Sequence, residues 1–197
     1  MLQYGRMNGV LNAIPIAMNA ETVYINKDIY DSYGLGVPET WDDIFAAAKI
    51  MREDGVYAIS AASKAMCLYC VAYTEQQCGR HFFNDNDEIA FTADDLEVMI
   101  DFYVRLVGEK AAPQVENYSR LELEKGNYAG TVAWVSDAVN YFGSVVENGV
   151  NIVPAPYTAV SPDLSGEGWY AKPATLYAIS KNTDHPEEAA MLMDFML

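Results

Sequence analysis

The sequence predicts an α/β fold. Short apolar runs, often with β-branched residues, alternate along the chain with amphipathic helical stretches. Thr-x-x-Asp and Ser-x-x-Glu spacings recur just ahead of the apolar stripes, where a helix start needs them. Glycines follow several of those stripes, where a helix stop needs them. Of the 197 residues, 51% are hydrophobic, which supplies a sizeable core and argues against disorder.

The elements follow in order. Residues 14–17 and 22–25 read as extended. Val37-Pro38-Glu39-Thr40 stops the chain and starts a helix, with Thr40 as N-cap and Asp43 three residues on. Trp41, Ile44, Phe45, Ala48 and Met51 form its buried stripe, Gly55 follows, and residues 57–59 read as a short strand. Residues 64–77 read as a helix, and 81–88 as a polar turn rich in Asn and Asp. Thr92 and Asp95 repeat the cap; Leu96, Met99, Ile100, Tyr103 and Val107 give the stripe, and Gly108 the stop. Ser119 and Glu122 predict a capping box for a short helix ending at Gly126. A strand at 131–135, a helix at 138–148 closed by Gly149, and a strand at 150–153 come next. Residues 154–173, rich in Pro, Gly and Ser, predict a long surface loop. A strand at 176–179 precedes a last helix with Pro186 at its first position and Glu187 and Glu188 in its first turn. That helix carries no stop at Leu197, so the chain is expected to end inside a larger fold. No internal repeat is visible.

Charge narrows the function. With 28 acidic and 12 basic residues the net charge is −16. A nucleic-acid partner needs a basic face, and an anionic membrane surface would repel this chain. The acidity suits a neutral or cationic ligand, and equally suits plain solubility. No apolar run approaches the ~18 residues of a transmembrane helix. Met1-Leu2-Gln3-Tyr4-Gly5-Arg6 lacks the charged and apolar regions of a signal peptide. Cys67-x-x-Cys70 fits a redox pair or half a metal site, but no second such pair exists, and His81 and His185 stand at no ligand spacing from it. Small apolar core residues in a helix are the plainer assignment for Cys67 and Cys70, and with Cys78 the odd count leaves a free thiol.

Catalytic motifs are not found. GxSxG, P-loop, GxGxxG and HExxH patterns do not occur, and neither histidine sits in a triad context. The carboxylate pairs Asp42/Asp43, Asp94/Asp95 and Glu187/Glu188 suit glycoside chemistry in type, but all stand where a helix start favours acidic residues. Asp85-x-Asp87-Glu88 lacks the glycine and distal Glu of a calcium loop and reads as a solvated turn. The sequence therefore names no metal and no cofactor. Aromatics stand out instead, with 14 Tyr, 7 Phe and 3 Trp. Such rings stack on the CH faces of sugars while Asn, Asp and Glu bond the hydroxyls, although they also fill ordinary cores.

Four ordered segments then resemble the bacterial extracellular solute-binding proteins of sugar ABC transporters. The first is Ala13-Ile14-Pro15-Ile16-Ala17-Met18-Asn19-Ala20 with Tyr24-Ile25-Asn26-Lys27-Asp28. The second is Val37-Pro38-Glu39-Thr40-Trp41-Asp42-Asp43-Ile44, and the third Gly126-Asn127-Tyr128-Ala129-Gly130-Thr131. The fourth is Ala178-Ile179-Ser180-Lys181-Asn182 with His185-Pro186-Glu187-Glu188-Ala189-Ala190. The resemblance implies a periplasmic-binding-protein-like lobe with hinge strands, the other lobe being largely absent. By it, residues 1–24 are a hinge-crossing segment, 25–152 the ligand-binding lobe, and 153–197 the return hinge, loop, strand and helix start of the rest of a two-lobe fold. It also implies a monomer without catalysis, a carbohydrate ligand, permease subunits as partners, and a place outside the cell membrane or in the periplasm. Export and lipid-anchoring sequences would stand upstream of Met1. A carbohydrate hydrolase and a surface receptor or adhesin on the same fold are the alternatives.

Six residues carry over as ligand contacts. Met18 and Asn19 follow the hinge strand, Asn19 having a turn role as its other reading. Tyr69 aligns with a stacking aromatic, or else is helix core. Trp134 stands two residues ahead of the expected stacking tryptophan, with Ser136 in that slot. Asp137 either bonds hydroxyls or caps the next helix. Trp169 lies in the loop Gly166-Glu167-Gly168. Trp41 is assigned to the core by its stripe.

Overall fold

The computed structural model describes residues 2–86, 88–162 and 170–197. These fall into two units, Glu21–Tyr170 on one side and Met1–Ala20 with Ala171–Leu197 on the other. Trp169 lies outside the described residues.

The larger unit is built on an antiparallel sheet. Its middle strand is the second half of β3 (Ile14–Asn26), flanked by β4 (Gly130–Trp134) and β5 (Ile152–Ala155). The register pairs Glu21 with Trp134 and Ile25 with Gly130 on one side, and Val23 with Ala155 on the other. The sequence predicts a strand at 57–59, and residues 57–61 do run parallel beside β4, through Tyr57↔Tyr128 and Ala61↔Val132 bridges. The compact unit is wider than residues 25–152, because residues 21–24 and 153–155 are themselves rungs of this sheet.

Helices cover the sheet. They are α1 (Lys27–Ser32), α2 (Trp41–Met51), α3 (Ser63–Cys78), α4 (Ala93–Gly108), α5 (Arg120–Glu124) and α6 (Ala138–Glu147). Both Thr-x-x-Asp capping boxes form, Thr40 with Asp43 and Thr92 with Asp95. The box expected at Ser119 does not: its side chain makes no capping bond, and the Glu122 carboxylate instead accepts from Lys125 and Asn127, at 2.6 Å each. The apolar stripe of α4 is also rotated from the expected one. Phe102 and Leu106 are buried, whereas Leu96 and Ile100 are exposed. Periodicity identifies the helix; the packing partner decides which of its two apolar stripes is covered.

The core joins Val23 and Ile25 of β3 to Ile44, Phe45 and Met51 of α2, Met66 of α3 and Leu106 of α4. Trp41 is buried at its centre as its stripe predicts, edge-on to Tyr69, Tyr73 and Phe102 at centroid distances of 4.8, 5.3 and 5.2 Å. Its indole N–H donates to Gln76 Oε1 at 2.8 Å, which satisfies a buried donor. The start of the expected 154–173 surface loop is core instead. Tyr157, Thr158 and Ala159 are buried, and Ala159 bridges Thr40. Backbone and Gln76 bonds to these residues supply what a buried loop requires.

The smaller unit opens with a hairpin of β1 (Arg6–Met7) and β2 (Val10–Leu11). Asn8 and Gly9 turn it with φ of 51° and 78°, the left-handed pair that a two-residue turn needs. The first half of β3 pairs antiparallel with β6 (Ala171–Tyr177), with bulges at Pro15/Ala17 and Ala17/Met18. A last helix, α7 (Pro186–Met196), has Pro186 in its first turn and no buried residue.

Candidate functional site

One end of the sheet in the larger unit gathers the groups suited to a ligand. Glu21 opens this unit's stretch of β3 opposite Trp134, the last residue of β4. The Glu21 backbone N–H donates to the Tyr170 carbonyl at 3.0 Å. That bond brings the Tyr170 ring to 5.7 Å from Trp134, at 67°. Trp134 is half-buried and Tyr170 exposed, which places an aromatic pair at a strand end.

The same end holds two helix starts. Residues 57–61 run parallel to β4 and lead into α3, whose first turn carries Ser63 and Lys64 and no acidic residue. Its N-cap position is Ala62, which has no side chain able to cap. The first N–H groups of a helix lack partners within it, so this start favours an oxygen acceptor or an anion. After β4, Val135–Asp137 form a short 3-10 turn into α6. Asp137 holds the N-cap position there but makes no capping hydrogen bond, which sets aside its capping role.

Below this edge the polar groups are buried. Glu21 and Tyr157 are both fully buried. Burial, then the Glu21 charge, holds the Tyr157 phenol well above its ordinary range. Tyr69 takes its helix-core role and not the stacking one. It is 0% exposed, its hydroxyl 2.6 Å from Thr158 Oγ1 and its ring against Trp41 and Tyr157. Enclosed on all sides, it presents no face for stacking and instead ties α3 to residue 158.

The other expected contacts divide between the units. Trp134 and Asp137 come together at the sheet end. Met18 and Asn19 are neighbours in the smaller unit, opposite Pro173 and Lys172 across the β3–β6 ladder. Met18 is exposed, beside the bulge. Asn19 is in a strand rather than a turn, and its Oδ1 accepts from the Ala20 N–H at 3.1 Å. Sequence reasoning missed Tyr170, Lys64 and the α3 start. Tyr170 adjoins Trp169, and its aromatic type was the available pointer.

An α/β chain with antiparallel middle strands, packed helices and an aromatic pair at a strand end has the fold of a solute-binding protein. The chain belongs to the bacterial extracellular solute-binding protein family, whose model matches residues 3–197. Among solved structures it is similar to a periplasmic solute-binding protein of Pectobacterium atrosepticum, with 28% identity and a TM-score of 0.84 over 100% of this chain and 52% of that one. It is also similar to a periplasmic oligogalacturonide-binding protein of Yersinia enterocolitica, solved with saturated digalacturonic acid (27%, 0.81, 100% and 51%). A de novo designed cysteine esterase shows the same likeness (26%, 0.83, 100% and 51%). The chain thus spans about half the length of the structures it matches.

Proposed function

We propose that this chain contributes one side of the ligand site in the substrate-binding component of an ABC uptake transporter. The protein acts outside the cell membrane or in the periplasm, as a monomer. It captures a sugar or oligosaccharide between two lobes, releases it unchanged, and presents it to permease subunits. The Trp134–Tyr170 pair at the strand end carries this reading, since aromatic rings stack on a sugar's CH face. Asp137 beside it, and Asn19, Met18 and Trp169 elsewhere, are the further proposed contacts. The uncapped α3 start with Lys64 suits a hydroxyl or carboxylate of the ligand. The oligogalacturonide-binding relative supports a saccharide class.

The test is a titration of the full chain with neutral and acidic oligosaccharides, followed by calorimetry and tryptophan emission. One saccharide class is expected to bind, and Trp134→Ala to weaken it about tenfold or more, ~1.4 kcal/mol. If no saccharide alters emission or melting, the reading fails. Recovery of cleaved sugar would establish the hydrolase reading in its place.

A further inference from the structure

A groove between α3 and α4 runs from Ser63, in the first turn of α3, along that helix away from Trp134 and Tyr170. It encloses about 250 Å³, and Met66, Cys67 and Cys70 line it from α3. Met99, Ile100 and Tyr103 face them from α4. Four of these six side chains carry sulfur.

Cys67 and Cys70 stand three residues apart on α3, so their Cβ atoms share one helix face about 5–6 Å apart. Two metal–sulfur bonds of ~2.3 Å each span such a gap once the side chains turn inward. Both cysteines are free thiols; Cys67 is exposed and Cys70 buried, giving the site a solvent side and an apolar side. Oxygen donors are scarce. The Tyr103 hydroxyl already accepts from the Val115 N–H at 3.2 Å, which leaves Ser63 at the helix start. No carboxylate or imidazole lines the groove. Among the described residues no group of three or more His, Cys, Asp or Glu is gathered anywhere. Hard cations need oxygen ligands, and structural zinc needs four thiolates or imidazoles. Thiolate and thioether sets select Cu(I).

We propose that this groove binds one soft monovalent cation of the Cu(I) class, held by the thiolates of Cys67 and Cys70 and completed by the thioethers of Met66 and Met99. On binding, each S–H bond breaks, its electron pair becomes the sulfur–metal bond, and two protons pass to solvent. No electron is transferred, so no oxidant or reductant is needed.

The full chain is titrated with Ag(I), a redox-silent probe, and with Cu(I) under anaerobic conditions, against a competing chelator. One ion per chain is expected, with about two protons released per ion. Cys67→Ala, at an exposed position, is expected to lower affinity about 100-fold or more, and Met99→Leu about tenfold. Cys78→Ser, outside the groove, is expected to bind as the parent does. Thermal melting without metal verifies that each variant is folded. The proposal is overturned if folded Cys67→Ala binds as tightly as the parent, or if the loss follows Cys78→Ser. It also falls if the parent binds no more tightly than a simple monothiol. Saccharide titrations do not enter these readouts, so the two proposals fail separately.

Discussion

Trp134 and Trp41 show how little a residue's type reveals and how much its surroundings do. Both are tryptophans shortly before a helix or at its start, yet Trp41 is buried among three rings with a Gln76 bond, whereas Trp134 is half-buried at a strand end. The stripe Trp41, Ile44, Phe45, Ala48 made the first legible in sequence. No periodicity marks Trp134, because a strand's last residue leaves the two-residue repeat. The cysteines differ in the same way. Burial, then the neighbouring Cys67, pushes the Cys70 thiol up to about 12. Only the thiolate reacts, so a maleimide at pH 8 is expected to label exposed Cys67 and half-buried Cys78 within minutes and to spare Cys70 until denaturant is added. Peptide mass mapping reads this, and equal labelling of Cys67 and Cys70 in the folded chain would refute it.

Capping and close packing set the predictions at the level of elements. Replacing Thr40 or Thr92 by Ala removes one half of a capping box and is expected to cost about 1 kcal/mol, or ~2–4 °C in Tm for a chain of this size. The Asp43 and Asp95 carboxyls lie below their ordinary range. Hydrogen bonds from Thr40 and Glu39 outweigh desolvation at Asp43, and bonds from Thr92 dominate at Asp95. Depressed folded values contribute stability that is complete above the ordinary carboxylate pKa of ~3.9 and is lost as pH falls through the folded values. Acid melts below about pH 4 are therefore expected to flatten in Thr40→Ala and Thr92→Ala relative to the parent. Gly130 has a different constraint. A Cβ there would stand 2.8 Å from the Ala58 carbonyl oxygen and 2.8 Å from Ile25 Cδ1. Gly130→Ala is expected to cost about 1–3 kcal/mol, read as a shifted urea midpoint. The two Thr-x-x-Asp boxes and the α2 stripe were legible because their signals are local, and β3, β4 and β5 were placed within a few residues for the same reason, whereas β6, expected at 176–179, begins at Ala171 inside the expected loop. The β1–β2 hairpin, the burial of residues 157–159 and the rotated face of α4 were not legible. Each depends on what a distant segment brings against it.

Across the whole molecule, stability is unevenly spread. The larger unit holds the apolar core, while α7 has no buried residue and Phe195 is 88% exposed. Hydrogen exchange is expected to leave amides of β4 and the second half of β3 protected longest and those of α7 exchanging within seconds. Equal protection in both places would contradict this distribution. Trp134 and Tyr170 stand 36 positions apart in sequence yet meet ring to ring at 5.7 Å, so spacing along the chain could not pair them. The middle strand of the sheet has one more consequence. Its second half carries the apolar pair Val23 and Ile25, yet both partner strands come from residues 130–155. During synthesis this segment leaves the ribosome roughly a hundred residues before anything can pair with it, a delay of about 5–20 s at ordinary elongation rates. For that interval a nascent chain displays an unpaired apolar strand. It is open to a holding chaperone or a translocation machinery, and the sheet closes only when the late strands arrive.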